Sequence, residues 1–156
     1  MSNRKVAFCI LIVLLLQVSV PMIPVDATSG RSTPDFTVSV MTLSSGGSID
    51  DAGQYKLAPG DHIVRMVVSN NGLADGAATL NLIHRASASS GETTVTSINL
   101  GIIGASSSSN TILVNWTANS GDGQTLFARV VSSEDSDLSN NERTLDFDMT
   151  MLHRGS

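Results

Sequence analysis

From Phe36 to Met149 the apolar residues of this chain recur at every second position, in short runs, and no window sustains a 3.6-residue apolar period. A period of two matches a half-buried strand, whose successive side chains point to opposite faces. Phe36, Val38 and Val40 alternate with Thr37 and Ser39; Val64, Met66 and Val68 flank Arg65; Ala78, Leu80 and Leu82 flank Thr79 and Asn81. A weaker run spans 94–100. Ile112, Val114 and Trp116 follow, opposite Leu113 and Asn115; then come Leu126, Ala128 and Val130 opposite Arg129, and Leu145, Phe147 and Met149 opposite Asp146 and Asp148. Turn residues separate the runs. Pro59-Gly60-Asp61 combines a fixed φ with a residue free to take φ > 0, and Asn70-Asn71-Gly72 marks another reversal. The pattern predicts an all-β sandwich of seven antiparallel strands with almost no helix.

The first 27 residues read differently. Arg4 and Lys5 precede an unbroken apolar run at 6–16, and Val25-Asp26-Ala27 carries the small-residue spacing of a cleavage site. Prolines at 21 and 24 end any helix there. The 15 apolar-rich residues before Pro21 fall short of the ~20 that cross a bilayer as a helix. The expectation is a secretory signal helix over 1–27, cleaved after Ala27; the alternative is a retained membrane anchor. A pilin-type leader fits less well, because Val6 after Lys5 is a poor match to such a site. Cys9 reads as a small hydrophobe of that segment. No second apolar segment follows to act as an anchor.

The remaining 129 residues suffice for one domain with a hydrophobic core. They carry seven basic and thirteen acidic residues, a formal net charge of −6. Nucleic acid and anionic lipid both select clustered Lys and Arg, so neither is expected as a partner. Without a second cysteine there is no disulfide framework and no thiolate chemistry in this part.

Several stretches form a recognisable series: Pro34-Asp35-Phe36 opening a strand, Pro59-Gly60-Asp61 leading into one that ends Ser69-Asn70-Asn71-Gly72, the strand carrying Trp116, and Asn140-Asn141 before the last strand. Together they resemble the CARDB domain, the cell-adhesion-related domain of bacteria and archaea. The resemblance covers 34–150, after a polar linker at 28–33 and before a tail at 151–156. It implies a seven-stranded immunoglobulin-like sandwich that works outside the cell, commonly as a module of a larger surface protein. Two departures stand out. The turn before the Trp strand reads Leu100-Gly101-Ile102-Ile103-Gly104 and is followed by an insertion-like serine run at 106–109, and the domain stands alone without repeats or an attached enzyme.

Catalytic chemistry finds no footing in these residues. His62, His84 and His153 lie apart, without metal-ligand spacing, and read as surface or rim histidines. No serine sits in a Gly-x-Ser-x-Gly elbow, and the glycines mark turns rather than a phosphate loop. No enzyme, cofactor or metal is expected. Asn115-Trp116-Thr117 is an N-glycosylation sequon, and alternation points Asn115 outward if Trp116 faces the core. Trp116 itself reads as core rather than a binding platform, since it continues the inward series of Ile112 and Val114.

The acidic stretch at 132–147 offers Glu134, Asp135, Asp137, Asn140 and Glu142 as oxygen donors, but its spacing is not that of a calcium loop and no glycine enforces a sharp turn. It reads first as a solvated strand connection in which Asn140 and Asn141 tolerate φ > 0. Calcium binding and a partner-contacting tip are the alternatives. The loop at 44–53, with Asp50-Asp51, and the serine-rich run at 105–109 read as solvated, flexible loops. The sequence thus points to a secreted or cell-surface binding or adhesion module for an unidentified protein or glycan. A structural subunit of a surface assembly, joined through strand edges, is the second reading, and an accessory domain of an exported enzyme system the third. Membrane contact is expected only through an uncleaved 1–27 segment. N-terminal sequencing of the protein from its native host should begin at Thr28; a chain beginning near Met1 and pelleting with membranes would establish the anchor instead.

Overall fold

The structure is a computed structural model that describes residues 32–43, 48–49 and 55–149, all within the unit Arg31–Ser156. The 1–27 segment with its Ala27 site, most of the 28–33 linker, Asp50-Asp51, His153 and the 151–156 tail lie outside the described residues. Among the described residues there is no α-helix. The strands are β1 (Phe36–Leu43), β2 (Ser48–Ile49), β3 (Tyr55–Leu57), β4 (Gly60–Asn70), β5 (Gly76–Arg85), β6 (Glu92–Ile103), β7 (Ser107–Ser108), β8 (Ile112–Ala118), β9 (Gln124–Val131) and β10 (Glu142–Met149), with a 3-10 turn at Leu138–Asn140.

Each alternating run predicted from sequence falls on one of the longer strands. The short strands β2, β3 and β7 were not visible as runs, because two or three residues cannot display a period. β7 arises from the serine-rich stretch read as flexible: Ser107 and Ser108 pair with Asn70 and Ser69 of β4.

Two sheets face each other. In the smaller, β4 pairs with β1 on one side; on its other side it pairs with β8 along 60–66 and with β7 at 69–70. The larger runs β2-β3-β10-β9-β5-β6. All pairings are antiparallel except β3 with β10. Between the sheets lies a core to which the smaller contributes Phe36, Val64, Met66, Val68 and Trp116, and the larger Leu80, Leu82, Leu126, Val130 and Phe147. Gly60 adopts φ +132°, a conformation that side-chain-bearing residues rarely enter, so the chain can turn out of Pro59 directly into β4.

Two expectations about facing need correction. Val40 does not continue the inward series of Phe36 and Val38. The register of β1 shifts between Val38 and Val40, and the extra residue turns the strand over, so Met41 is buried and Val40 only half-buried. The histidines are also not all on the surface. His62 is 6% exposed and His84 half-buried, and both lie against Trp116 with ring centroids 6.0 and 5.4 Å away. The His62 Nε2–H donates to the Ala58 carbonyl (2.8 Å). Gln124 donates through Nε2 to the carbonyls of Asn119 and Gly121, which leaves its Oε1 to accept the His84 Nε2–H at 2.8 Å. Apolar ring faces and satisfied ring nitrogens explain why these residues are structural.

The short β3 is held to β10 by an ion pair between register partners, Lys56 Nζ and Asp148 Oδ2 at 2.9 Å. The Gly123 N–H and then the Lys56 ammonium hold the Asp148 carboxyl below its ordinary range.

Two predictions follow from this packing. Met41→Ala should cost ~2–5 kcal/mol as a buried large-to-small change, against less than ~1 kcal/mol for Val40→Thr; urea unfolding showing the reverse order would mean that β1 alternates without a bulge. Because the folded-state pKa of Asp148 lies below its unfolded value, its contribution is present above the ordinary carboxylate value of ~3.9 and is lost as pH falls through the folded value. Asp148→Asn should therefore cost ~1 kcal/mol or less at pH 7, and the difference from the unsubstituted chain should shrink below pH ~4.

Candidate functional site

The three segments Pro34-Asp35-Phe36, Asn70-Asn71-Gly72 and Asn140-Asn141 are far apart in sequence and meet at one end of the sandwich. Asn70, 1% exposed, is where they join. Its Oδ1 accepts the amides of Asp35 (3.1 Å) and Gly72 (3.0 Å), and its Nδ2 donates to the carbonyls of Ala74 (2.8 Å) and Ile103 (3.1 Å). Two acceptor sites and two donor hydrogens are the full capacity of a carboxamide, so Asp or Leu here would leave buried backbone groups unpaired. The Asn71 amide donates to the Asp35 carbonyl at 2.7 Å. Gly72 is required by close approach: a Cβ there would lie 2.3 Å from the Thr33 carbonyl oxygen and 2.7 Å from the Asp35 nitrogen.

The acidic connection at 132–141 docks along the same segment instead of standing in solvent as expected. The amide and hydroxyl of Ser136 donate to the Pro34 carbonyl at 3.1 and 3.2 Å, and Asp135 Oδ2 accepts the Phe36 amide at 3.1 Å. Asn140 Nδ2 donates to Asp35 Oδ1 (2.9 Å), and its carbonyl accepts the Thr37 hydroxyl (3.1 Å). Asp137 caps the 3-10 turn by accepting the Ser139 amide at 3.0 Å. Neither asparagine takes φ > 0; Asn141 sits at φ −78°, and Ser106 is the non-glycine with positive φ among the described residues. The asparagines therefore serve through side-chain and carbonyl bonds, and Asn141 through its carbonyl, which accepts the Val130 amide at 2.9 Å.

Trp116 lies at the opposite end, level with His62 on β4 and eight residues from Asn70, or ~26 Å along a strand. It is 6% exposed and meets Phe147 of the facing sheet edge-on with centroids 5.5 Å apart. Asn115 is exposed on the outer face of β8.

The outer face of the larger sheet divides in two. Toward the Trp116 end, Ile83 and Phe127 are register partners and both buried. The Arg85 guanidinium lies 4.9 Å from the Phe127 ring centroid, a cation–π contact. The Arg129–Glu92 pair (3.3 Å) spans β5 at the level of Ile83, and Arg129 also pairs with Glu142 at 2.6 Å. Toward the Asn70 end the apolar residues are open instead: Ile102 is 76% exposed, Leu138 70% and Val131 50%. Val131 separates two shallow clefts, one of 310 Å³ bounded by Leu138, Asn141 and Glu142, the other of 270 Å³ bounded by Ala77, Thr79 and Asn99. Sequence reading missed this patch, because a lone apolar residue at a strand end or in a loop carries no periodic signal. Among the described residues no group of three or more His, Cys, Asp or Glu side chains is placed to hold a metal ion.

Two facing sheets closed at one end by an asparagine hub define a β-sandwich module, and the chain has the fold of a CARDB domain. It is similar to the CARDB domain of a Pyrococcus furiosus protein, solved in complex with di-metal ions, with a TM-score of 0.53 and 17% identity over 76% of this chain and 90% of that one. A β-glucosidase from Erythrobacter marinus matches at a TM-score of 0.48 and 10% identity, over 75% of this chain and 16% of that one. A β-D-glucoside glucohydrolase from Trichoderma reesei matches at 0.40 and 18%, over 73% of this chain and 19% of that one. The two glycosidase matches are too distant to carry an argument. No protein-family model and no curated protein matches the chain.

Asn70→Ala should cost at least ~3 kcal/mol, because it strands four backbone groups at once. Asn141→Ala should cost less than ~1 kcal/mol, since its buried Oδ1 has no hydrogen-bond partner to lose. Equal losses in chemical unfolding would mean that Asn70 is not the hub.

Proposed function

We propose that this chain is a non-enzymatic binding module of CARDB type, exported after cleavage at Ala27, that holds a protein or glycan at the cell surface. We read its fold as an immunoglobulin-like sandwich of seven principal strands with three short additions. The observation that carries the binding reading is the open apolar patch of Ile102, Val131 and Leu138, set beside a connection anchored by several hydrogen bonds. Exposed apolar residues next to clefts, on a rigid scaffold, are what a partner can desolvate with little ordering cost. Replacing Val131 and Leu138 together by Asp should weaken binding of labelled mature domain to host cell envelopes by about tenfold or more, with melting unchanged. Undiminished binding would remove this patch from the mechanism.

The surface-assembly reading has its own support. β6 is an edge strand with no charged residue from Thr93 to Ile103, and an edge without charges is permissive for pairing with another chain. Two register shifts along the β5–β6 pairing disrupt it, which favours the first reading. A particle size that persists on dilution would favour assembly; a monomer favours binding.

The ions of the archaeal neighbour are not needed by the connection at 132–141. Both Asp135 oxygens accept backbone amides, from Phe36 and Asp137, while Asp137 caps Ser139 and Glu142 pairs with Arg129. Chelator should leave the melting temperature unchanged. A calcium site would instead give ~2.7 kcal/mol of stabilisation at 100 times its dissociation constant.

A further inference from the structure

We propose that Asn115 carries an N-linked oligosaccharide, attached before the domain folds, and that this sugar covers the outer face of the smaller sheet. The inference rests on the export reading above. Asn115 and Thr117 lie on one outward face of β8, because Trp116 between them is committed to the core. β8 is an edge strand, with β4 on one side only. The Asn115 side chain is exposed and has no hydrogen-bond partner among the described residues.

The surroundings of Asn115 are what single it out from a chance sequon. Its register partner is Ile63, 38% exposed, and Leu113, two positions earlier on the same face, is 63% exposed. A shallow cleft of 460 Å³ opens beside it, bounded by Asp61, His62, Ile63 and Asn115. Ile63 and Leu113 belong to no core and stay exposed, beside Arg65, the register partner of Leu113. The apolar face of a pyranose ring on Asn115 Nδ2 would lie against these two aliphatic chains, leaving the sugar hydroxyls to water.

The fold also sets the timing. A transferase must grip the extended Asn-x-Thr triad, yet in the folded domain Trp116 is buried and the Thr117 hydroxyl donates to Asp61 Oδ1 at 2.7 Å. Both would have to be withdrawn. The transfer therefore belongs to the unfolded chain as it leaves the membrane. The donor is an oligosaccharide carried on a lipid phosphate. Asn115 Nδ2 forms the bond to the anomeric carbon and loses one proton, and the bond from that carbon to the lipid phosphate breaks, with the phosphate leaving with the electron pair.

The test is the mass of the protein recovered from its native host, with the peptide holding Asn115 mapped and the N-terminus sequenced on the same sample. An added oligosaccharide mass on that peptide is expected. It should disappear in Asn115→Gln and Thr117→Val and persist in Thr117→Ser, and Asn115→Gln should still unfold cooperatively. The purified folded domain, offered lipid-linked oligosaccharide and host membranes, should stay unmodified, while urea-unfolded chain diluted into the same mixture should gain the sugar. An exported chain that begins at Thr28 with bare Asn115 would overturn the site alone. A chain retained inside the cell from Met1 would overturn the export reading and the site with it. Equal modification of folded and unfolded chain would overturn the timing.

Discussion

Asn70 satisfies four backbone groups, three of them in buried bonds, and in doing so it fixes three separate parts of the chain at one point: the entry into β1, the turn after β4 and the end of β6. Backbone polar groups buried without partners cost as much as lost hydrogen bonds, so the end of a sandwich, where ladders run out, is where a small domain is most exposed to that cost. The sequence has one cysteine, Cys9 in the apolar run at 6–16, and hence no bridge within the chain to close that end. A single carboxamide used to capacity does so instead. The 132–141 connection then has a fixed ledge at 34–37 on which to dock, and the open apolar patch inherits that rigidity.

The two ends of the sandwich are closed by different physics. At the Trp116 end the closure is aromatic: His62 from one sheet and His84 and Phe147 from the other surround the indole, and each histidine nitrogen that faces a carbonyl or amide oxygen donates to it. Area dominates there, since an aromatic side chain buries more apolar surface than any aliphatic one. At the Asn70 end a hydrogen-bond network is added to the burial of Phe36, the register partner of Asn70. Networks of that kind specify geometry more sharply than packing does, because a partly satisfied one is worse than none. A recognition surface is therefore better placed beside the hub than beside the tryptophan.

Period-two alternation was legible because the pleat imposes it wherever one face is buried, and it found the longer strands, though over shorter spans than they have, as at 94–100 within Glu92–Ile103. It failed at Val40, where a bulge turns the strand over; nothing in Val38-Ser39-Val40-Met41 marks the extra residue. It also could not rank polar residues. His62 and Gln124 are buried because carbonyls of the loops just before them, and for Gln124 the distant His84 ring nitrogen, face them, which period-two alternation does not register. The asparagine pairs were noticed as turn formers, which Asn commonly is, yet the φ of Asn141 is ordinary and the importance of Asn70 and Asn140 lies in contacts 33 to 105 residues away in sequence. Asp135 was misplaced for the same reason. A carboxylate in a serine-rich acidic run looks solvated until the amide it caps, that of Phe36, is known.

The outer faces of the two sheets are treated oppositely, and that contrast bears on where a partner can sit. On the larger sheet, Arg85 lies in the half nearer the Trp116 end, where Phe127 and Ile83 are buried, and the Glu92–Arg129–Glu142 chain runs from there to the cleft beside Leu138. Arg129 is flanked by Glu142 and Glu92, which raise its pKa further. A partner approaching this half would have to break ion pairs without gaining apolar contact. The other half exposes Ile102, Val131 and Leu138, with the mutually paired Arg129 and Glu142 lining the cleft between Val131 and Leu138. On the smaller sheet the exposed Ile63 and Leu113 flank Asn115, and a sugar there would close that face to protein contact. What is then left open is the Asn70 end of the larger sheet, where the hydrogen-bonded 132–141 connection and the exposed Ile102, Val131 and Leu138 coincide.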